Sequence, residues 1–444
     1  MRILMISFGF PPANSIGCVR TGKIAKYLTR FGHEVRVISA RHQVDMQSAL
    51  RLEMPRECIT YTPWLNFRWP LEIMLGRGKR LEDAWEATYS NHLGLGRNIL
   101  RVLRTFLYFP DKEIGWMPFA LHSASHMLRR WSPTLIYASA GPYTSLIVAH
   151  LLSQRFGVPW IGELRDLWVN NHNYKYFGYP AWRERLEEKL ERRVLSSAEG
   201  LVTVSVPLAQ TLIKKHRKPT AVILNGFDAS DYPAGSDIRF NDNVFRIVYT
   251  GNIYFNSQSP EPLFEALQML GNLAQRVRVS FFGNFSKRLH EMARGCGIEH
   301  LIEIIGPVSH QDALKAQKQA DFLLHLLWND PDEPGVYGAK LFEYLGSRRP
   351  VLAVGHTDNV AAQLIIERGA GVAANDPKEL AIHLENRIKY KETNGQIPQL
   401  DGKVGLGLSR EEQTRQLERF LIELLARKSP QLMSMSCFQG PYVC

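Results

Sequence analysis

Paired cysteines are missing from this sequence of 444 residues, and with them the usual signs of a zinc site or a disulfide framework. Its five cysteines form no CxxC pair and show no ligand-like spacing to the histidines, a usage that fits a reducing compartment. A GxGxxG loop is absent after the first hydrophobic run, so nucleotide binding of the dehydrogenase kind has little support. Short-period repeats and low-complexity blocks are lacking as well.

A hydrophobic run long enough to span a membrane is also lacking. The longest uncharged stretch, residues 131–154, is interrupted by Gly141-Pro142, so we predict a buried strand over Leu135–Ser139 and a helix over Thr144–Gln154. No secretory signal is expected either, because the first hydrophobic run is short, β-rich and followed at once by Pro11-Pro12. We therefore expect a cytoplasmic protein.

The overall composition is that of a globular protein: 45% of the residues are hydrophobic and 22% are charged. A chain of 444 residues exceeds the size at which one hydrophobic core keeps growing, which predicts two domains. The formal net charge of +11 favours an anionic partner, whether a nucleotide, a phosphate or a membrane surface. Nucleic acid is not expected as a partner, because no recognised binding motif accompanies this charge.

Short hydrophobic runs and helical patterns alternate along the chain in two blocks. The first block predicts strands at Arg2–Phe8, Glu34–Ser39, Leu135–Ser139, Pro159–Glu163 and Gly200–Val204. The second predicts strands at Phe245–Tyr249, Val277–Phe282, Leu301–Ile305, Phe322–Leu326 and Pro350–Val354. Intervening helices imply parallel sheets covered on both faces. The predicted fold class is α/β, with two Rossmann-like halves in tandem whose ligands lie beyond the carboxyl ends of the strands.

We predict the domain boundaries from the places where the alternation of strands and helices is interrupted. The polar stretch Asp228–Asn243 reads as a linker, so we place an N-terminal domain at residues 1–228 and a second domain at 229–408. Residues 409–444 form a third segment, with an amphipathic helix over Ser409–Lys428 and an irregular tail.

Four residues of the first half are candidates for chemistry. Gly17 precedes a predicted helix, whose free amides can hold an anion; the alternative is a tight strand-to-helix turn. Glu163, Arg165 and Asp166 follow a predicted strand, between two aromatic residues. A carboxylate there can bind or deprotonate a sugar hydroxyl, and Arg165 can neutralise phosphate. The alternative is a local salt bridge between Arg165 and Asp166.

The second half offers a glycine-rich loop that leads directly into a helix. Amides near Gly338 and Ala339 would face an anion, and Lys340 adds a positive charge. Glu343 follows on the same helix face and is placed to accept hydrogen bonds from the two hydroxyls of a ribose. The alternative is an ordinary surface pair between Lys340 and Glu343.

These motifs, taken in order, resemble the retaining family 4 glycosyltransferases of the GT-B fold along nearly the whole chain. The residues that carry the resemblance are Phe10-Pro11-Pro12 with Gly17, Gly32-His33-Glu34-Val35, Glu163-Leu164-Arg165-Asp166-Leu167-Trp168, Asn225-Gly226-Phe227-Asp228, Tyr249-Thr250-Gly251-Asn252, and Lys340-Leu341-Phe342-Glu343-Tyr344-Leu345. The segment around Arg165 is similar to a bacterial polysaccharide and lipopolysaccharide subgroup.

The resemblance implies two domains facing across a cleft, with the last helix crossing back to the first domain. It implies transfer of a sugar, with retention, from a UDP- or GDP-linked donor to a glycan or polyprenyl-linked acceptor, without a tightly bound cofactor or an obligatory metal. The donor would contact Gly17 and, in the second domain, Gly251, Asn252, Gly338, Ala339, Lys340 and Glu343. Glu163, Arg165 and Asp166 would approach the reacting sugar as catalytic residues.

Two departures from the family pattern keep other functions open. The family's first glutamate falls at Gly335, where Glu333 or Asp332 could substitute, and its basic pair after the first strand of the second domain is replaced around Asn252. Loss of these groups is what a non-catalytic nucleotide-sugar-binding subunit would show. A nucleotide-sugar epimerase on the same fold is the other alternative.

A peripheral membrane contact is a separate hypothesis. The aromatic and basic segment Trp64–Phe109 and the charged helix around Arg183–Arg193 suit the anionic inner face of a membrane. The alternative is a solvated basic face next to core aromatics.

Overall fold

The computed structural model describes residues 1–42, 50–66, 105–106, 108–169, 171, 179–232, 243–285, 287–331 and 333–428. The chain forms two compact units. One contains residues 1–223 together with the chain from Thr414 onward, and the other is the unbroken segment Leu224–Gln413. Residues 233–242 of the predicted linker and the tail 429–444 lie outside the described residues.

The first unit is built on a seven-stranded sheet in which every neighbouring pair is parallel. Its strands are β1 (Arg2–Ile6), β2 (Glu34–Ala40), β3 (Ile59–Thr62), β4 (Leu135–Ser139), β5 (Trp160–Glu163), β6 (Gly200–Thr203) and β7 (Thr220–Val222). Its helices are α1 (Ile16–Arg30), α2 (Met117–Arg130), α3 (Thr144–Phe156), α4 (Ala181–Ser196) and α5 (Val206–His216). The strand order is β3-β2-β1-β4-β5-β6-β7.

The second unit is built on a six-stranded parallel sheet. Its strands are β8 (Phe245–Thr250), β9 (Val277–Phe282), β10 (Ile302–Ile304), β11 (Phe322–Leu326), β12 (Val351–Val354) and β13 (Gly371–Ala374), in the order β10-β9-β8-β11-β12-β13. Its helices are α6 (Glu261–Met269), α7 (Lys287–Gly295), α8 (His310–Gln319), α9 (Ala339–Ser347), α10 (Val360–Glu367) and α11 (Pro377–Asn394).

Both strand orders reverse direction once, which creates a topological switch point in each sheet. The reversal falls between β1 and β4 in the first unit and between β8 and β11 in the second. At such a point the loops leaving the carboxyl ends of neighbouring strands diverge and leave room for a ligand. Gly17 follows β1, Gly251 and Asn252 follow β8, and the loop that leads into α9 follows β11. Glu163, Arg165 and Asp166 lie at the carboxyl end of β5, the neighbour of β4.

The helix α12 (Arg410–Lys428) passes from the second unit into the first. Its apolar residues Leu417, Phe420, Leu421 and Leu424 belong to the same core cluster as residues of β1 and α1. Glu418 also accepts a hydrogen bond from His33 Nε2 at 2.7 Å. The C-terminal helix therefore completes a core that the N-terminal segment begins.

The predicted fold class is confirmed: two parallel α/β sheets, with the C-terminal helix packed on the first unit. Leu135–Ser139, Val277–Phe282 and Phe322–Leu326 have the predicted bounds. The sequence missed β3, β7 and β13, which are short strands at the edges of the sheets and are only partly buried. None of the helices within the described ranges combines the length and apolarity needed to cross a membrane.

Candidate functional site

The start of α9 brings together the main candidates of the second unit. Gly338 is the N-cap residue, and Ala339 and Lys340 occupy the first turn, where amides lack acceptors within the helix. Lys340 Nζ lies 3.2 Å from Glu343 Oε2 and 3.4 Å from Oε1. The predicted pair is therefore present.

Glu343 differs from a surface pair in its other contacts and its burial. Its side chain is only 20% exposed. His310 Nε2 on α8 lies 3.3 Å from Oε1, and Gln317 donates to Oε2 at 3.1 Å. Burial alone would raise the pKa of Glu343, but Lys340, His310 and Gln317 together lower it to about 2. The carboxylate is thus ionised at neutral pH and offers acceptor oxygens only.

Gly251 and Asn252 follow β8 on the side of the sheet that faces Lys340. Gly251 has a φ of 131°, a conformation that L side chains rarely adopt, and a Cβ there would lie 3.7 Å from Lys340 Cγ. The side chain of Asn252 is exposed, and its carbonyl oxygen accepts from Tyr249 Oη at 2.8 Å. Gln317 joins this strand to Glu343, since its amide also donates to Thr250 Oγ1 at 3.0 Å.

No carboxylate among the described residues takes the place of the family's first glutamate, which falls at Gly335 in this sequence. Gly335 is buried and precedes Gly338, the N-cap of α9, by three residues. Glu333 is half-buried in the same loop, with its amide donating to the Asp330 carbonyl at 3.0 Å. Asp332 lies outside the described residues.

In the first unit, Arg165 is held between two glycines at the switch point. Its guanidinium donates from Nη2 to the Ala140 carbonyl at 2.6 Å and from Nε to the same oxygen at 3.1 Å. A Cβ at Gly17 would overlap the guanidinium, and one at Gly141 would lie 2.6 Å from Nη2. Gly17 therefore permits close approach of Arg165 to the start of α1. The predicted alternative, a salt bridge from Arg165 to Asp166, does not form.

Glu163, predicted to be a catalytic residue, lies buried at the end of β5 among three side-chain partners. The side chain is fully buried, accepts from Arg20 Nε at 2.8 Å and from Tyr137 Oη at 2.7 Å, and is also bonded by Ser139 Oγ. Burial would raise its pKa, but Arg20, Arg165 and the two hydroxyls lower it. The Glu163 carboxylate thus joins β5 to α1 and β4 through its three partners.

Asp166 is the exposed member of this group. It lies next to Tyr143, whose ring stacks on Trp168 at a centroid separation of 4.8 Å and whose hydroxyl donates to the Leu167 carbonyl at 2.7 Å. Asp111 accepts from the Thr144 amide at 2.8 Å and from its hydroxyl at 2.7 Å, which anchors the start of α3 beside them. The loop that carries Arg165 and Asp166 is thus held on both sides.

Sequence reasoning missed the residues that support these groups. Arg20 on α1 is 1% exposed and paired with Glu163. His310 and Gln317 reach Glu343 only because α8 packs beside α9. No local motif marks such partners, since they come from distant parts of the chain.

Comparison with known proteins agrees with this architecture. A family model described as glycosyl transferase 4-like domain matches residues 18–226. Comparison with curated proteins gives no sequence match. Among solved structures, a glycosyltransferase from Rickettsia africae is similar over 96% of this chain and 98% of its own, with a TM-score of 0.59 and 15% identity.

Two further structures are similar over almost their whole length. Anabaena Alr3699/HepE in complex with UDP-glucose covers 98% of this chain and 100% of its own, with a TM-score of 0.53 and 15% identity. The lipopolysaccharide outer core galactosyltransferase WaaB covers 95% and 99%, with a TM-score of 0.55 and 12% identity. At these identities the likeness concerns the fold. Together with the family match, it shows that the chain carries a glycosyl transferase 4-like domain at residues 18–226 and has the GT-B fold of these solved glycosyltransferases.

Proposed function

We propose that the chain transfers a sugar from a UDP- or GDP-linked donor to a hydroxyl of a glycan or polyprenyl-linked acceptor, with retention of configuration, in the synthesis of a surface polysaccharide or lipopolysaccharide. The observation that carries the proposal is the ionised carboxylate of Glu343, held by three donors beside the free amides of α9. The UDP-glucose complex of the Anabaena protein and the galactosyltransferase WaaB support this choice of substrates.

Donor binding would use the contacts around α9. Glu343 accepts hydrogen bonds from the ribose hydroxyls, and its low pKa keeps it an acceptor. Lys340 is 35% exposed and 3.2 Å from Glu343, so a small side-chain rotation brings its ammonium to a diphosphate. The amides of Ala339 and Lys340 supply a second set of donors, and Gly251 and Asn252 border the same face.

In the first unit, Arg165 and Asp166 are the groups available to the reacting sugar, with Gly17 supplying backbone amides. Arg165 carries a positive charge at the switch point, and Asp166 is an exposed carboxylate next to it. Glu163 is a positioning residue. Its negative charge stabilises the positive charges of Arg20 and Arg165, which burial keeps from full contact with water. In this proposal only Arg165 and Asp166 keep the catalytic role that the sequence predicted for all three residues.

The reaction follows from these groups. The acceptor oxygen attacks the anomeric carbon from the face of the leaving group, the bond to the diphosphate breaks, and the acceptor proton passes to a phosphate oxygen. Positive charge from Lys340 and donors at the start of α9 stabilise the negative charge that develops on the leaving diphosphate. No protein nucleophile is required by this scheme.

Calorimetric titration with a panel of UDP- and GDP-sugars tests the proposal. We expect wild type to bind one donor, and both Glu343→Gln and Lys340→Ala to weaken that binding at least tenfold. Lys315→Ala is the matched control, since Lys315 forms an exposed pair with Asp312 at the same i,i+3 spacing on α8. Equal donor affinity in all four proteins would refute the assignment.

The release of free nucleotide then separates the alternatives. A transferase releases nucleotide rapidly only when an acceptor hydroxyl is supplied. Donor binding without turnover on any acceptor would favour the binding subunit, and conversion of the donor sugar without acceptor would favour the epimerase.

The membrane contact is proposed for the exposed face of α4. Trp182 and Leu186 are 41% and 47% exposed, and Phe106 stacks on Trp182 at 5.2 Å between ring centroids. Lys189 and Arg193 continue the same helical face and are exposed. Arg183, predicted to belong to this basic surface, is instead fully buried and donates to Glu187 at 2.7 Å. An apolar tip flanked by cations suits an anionic lipid surface.

Co-sedimentation with vesicles tests this contact. We expect binding to vesicles containing phosphatidylglycerol at low salt, less binding at high salt, and loss of binding in the double variant Trp182→Ser, Leu186→Ser. Leu151→Ser is the control, because Leu151 is 39% exposed on α3. Failure to bind at either salt concentration would dispose of the contact. Most of the segment Trp64–Phe109 lies outside the described residues.

A further inference from the structure

His325 lies near the carboxyl end of β11, next to Gly338 at the start of α9. The residue is 5% exposed, and a Cβ placed on Gly338 would lie 2.6 Å from its Cε1 and 3.3 Å from its Nε2. The ring edge that carries the nitrogens therefore faces the N-cap of α9. A glycine at position 338 is what allows the helix to begin so close to the ring.

The ring nitrogens have no partner in the part of the chain that the structure describes. The His325 ring packs edge-to-face against the Tyr344 ring, with 6.3 Å between the ring centroids. Burial lowers the pKa of His325 to about 4, so the ring is neutral at pH 7 and offers one N–H donor. A buried polar group without a partner is costly unless something else satisfies it.

We propose that His325 is a further donor-binding residue, whose Nε2 hydrogen-bonds a phosphate oxygen of the nucleotide sugar held at the start of α9. The inference rests on the proposed function, because it takes the donor to be a nucleoside diphosphate sugar. Two independent observations meet at one point: free amides at a helix N-terminus and an unpartnered, buried imidazole that faces it. Lys340 on the first turn of α9 supplies positive charge, and His325 supplies a directed hydrogen bond.

Two substitutions separate a hydrogen bond from packing. His325→Phe keeps an aromatic ring beside Tyr344 and Gly338 but removes both nitrogens, whereas His325→Gln keeps a donor at about the reach of Nε2. Affinities for UDP, GDP and the corresponding nucleosides are measured by calorimetry. His383→Gln, a half-exposed histidine on α11, is the control.

We expect His325→Phe to weaken binding of the nucleoside diphosphate roughly ten- to hundredfold, as loss of a hydrogen bond to a charged group does. His325→Gln and the control should remain within a few-fold of wild type, and nucleoside binding should be equal in all proteins. Unchanged diphosphate affinity in His325→Phe would overturn the role of His325. So would an equal loss of nucleoside and diphosphate binding, which would indicate damage to packing.

The wild-type protein gives a second measurement in case His325→Phe does not fold. The Cε1–H resonance of His325, assigned by its disappearance in His325→Gln, should move on addition of UDP or GDP and stay in place with the nucleoside. A resonance unmoved by a bound diphosphate would reject the contact while leaving the proposed function intact. If folded wild type binds neither nucleotide, the proposed function fails, and the role of His325 fails with it.

Discussion

At the scale of single residues, Arg20 and Glu163 form a buried ion pair that contributes to stability. Both side chains are within 1% of full burial, and they lie 2.8 Å apart. We expect Arg20→Met to lower the free energy of unfolding by about 3–5 kcal/mol, because the Glu163 charge would stay buried without its partner. Urea unfolding measures this effect.

The exposed pair Arg192–Glu188 serves as the control. Its side chains are 57% and 42% exposed, so Arg192→Ala should cost at most about 1 kcal/mol. Adding Glu163→Gln to Arg20→Met should recover part of the loss, since the uncompensated charge is then removed. A loss in Arg20→Met no larger than that of the control would show that the pair contributes little.

The lowered pKa of Glu343 makes the free energy of unfolding fall as the pH is lowered. Its pKa is lowered from 4.5 to about 2 in the folded protein, so the ionised side chain stabilises the fold above pH 4.5 and this contribution is lost as the pH falls towards 2. The difference in unfolding free energy between wild type and Glu343→Gln should therefore shrink across that interval. A difference that stayed constant with pH would contradict the lowered pKa.

Residues such as these mark the limit of what the sequence could predict. Lys340 and Glu343 share a helix, so their spacing alone predicted the pair. Glu163 was correctly placed at the end of a strand, but its partner Arg20 is 143 positions away, and only the sheet order brings them together. A carboxylate at a strand end looks the same in sequence whether it faces a ligand or a buried arginine.

At the scale of elements, the start of α9 depends on the absence of a side chain at Gly338. A Cβ there would meet the His325 ring at 2.6 Å, so Gly338→Ala must displace the ring or the loop. We expect a loss of about 1–3 kcal/mol in unfolding free energy, as for other overpacking changes, measured by urea unfolding.

Gly295→Ala is the matched control for this prediction. A Cβ at Gly295, at the end of α7, would meet nothing within 4 Å, so the change should be neutral or stabilise by up to about 1 kcal/mol. Equal effects of the two substitutions would show that the ring and the helix start are not in close contact.

Local sequence signals decide which helices and strands could be predicted. Helix α9 follows a glycine-rich loop and carries apolar residues at helical spacing, both of which are local signals. By contrast, β7 has three residues and becomes a strand through pairing with β6, a contact that no local pattern encodes. The position of α8 against α9, which completes the surroundings of Glu343, is likewise a result of packing.

At the scale of the whole molecule, the first unit is discontinuous in sequence. Leu421 on α12 is fully buried in a core shared with β1 and α1. We expect Leu421→Ala to lower the free energy of unfolding by about 2–5 kcal/mol, measured by chemical denaturation. The adjacent Ile422 is 40% exposed, so Ile422→Ala should cost far less. Similar costs for both would contradict the packing of this helix.

The route of the chain has a consequence for its synthesis on the ribosome. Because the second unit is the unbroken segment Leu224–Gln413, all of its strands have been made before α12 emerges. The first unit, although its sheet is translated earlier, lacks part of its core until Thr414–Lys428 leaves the exit tunnel. The first unit is thus translated first but completes its folding last. Until α12 has packed, its core exposes an apolar surface to which a nascent-chain chaperone would bind.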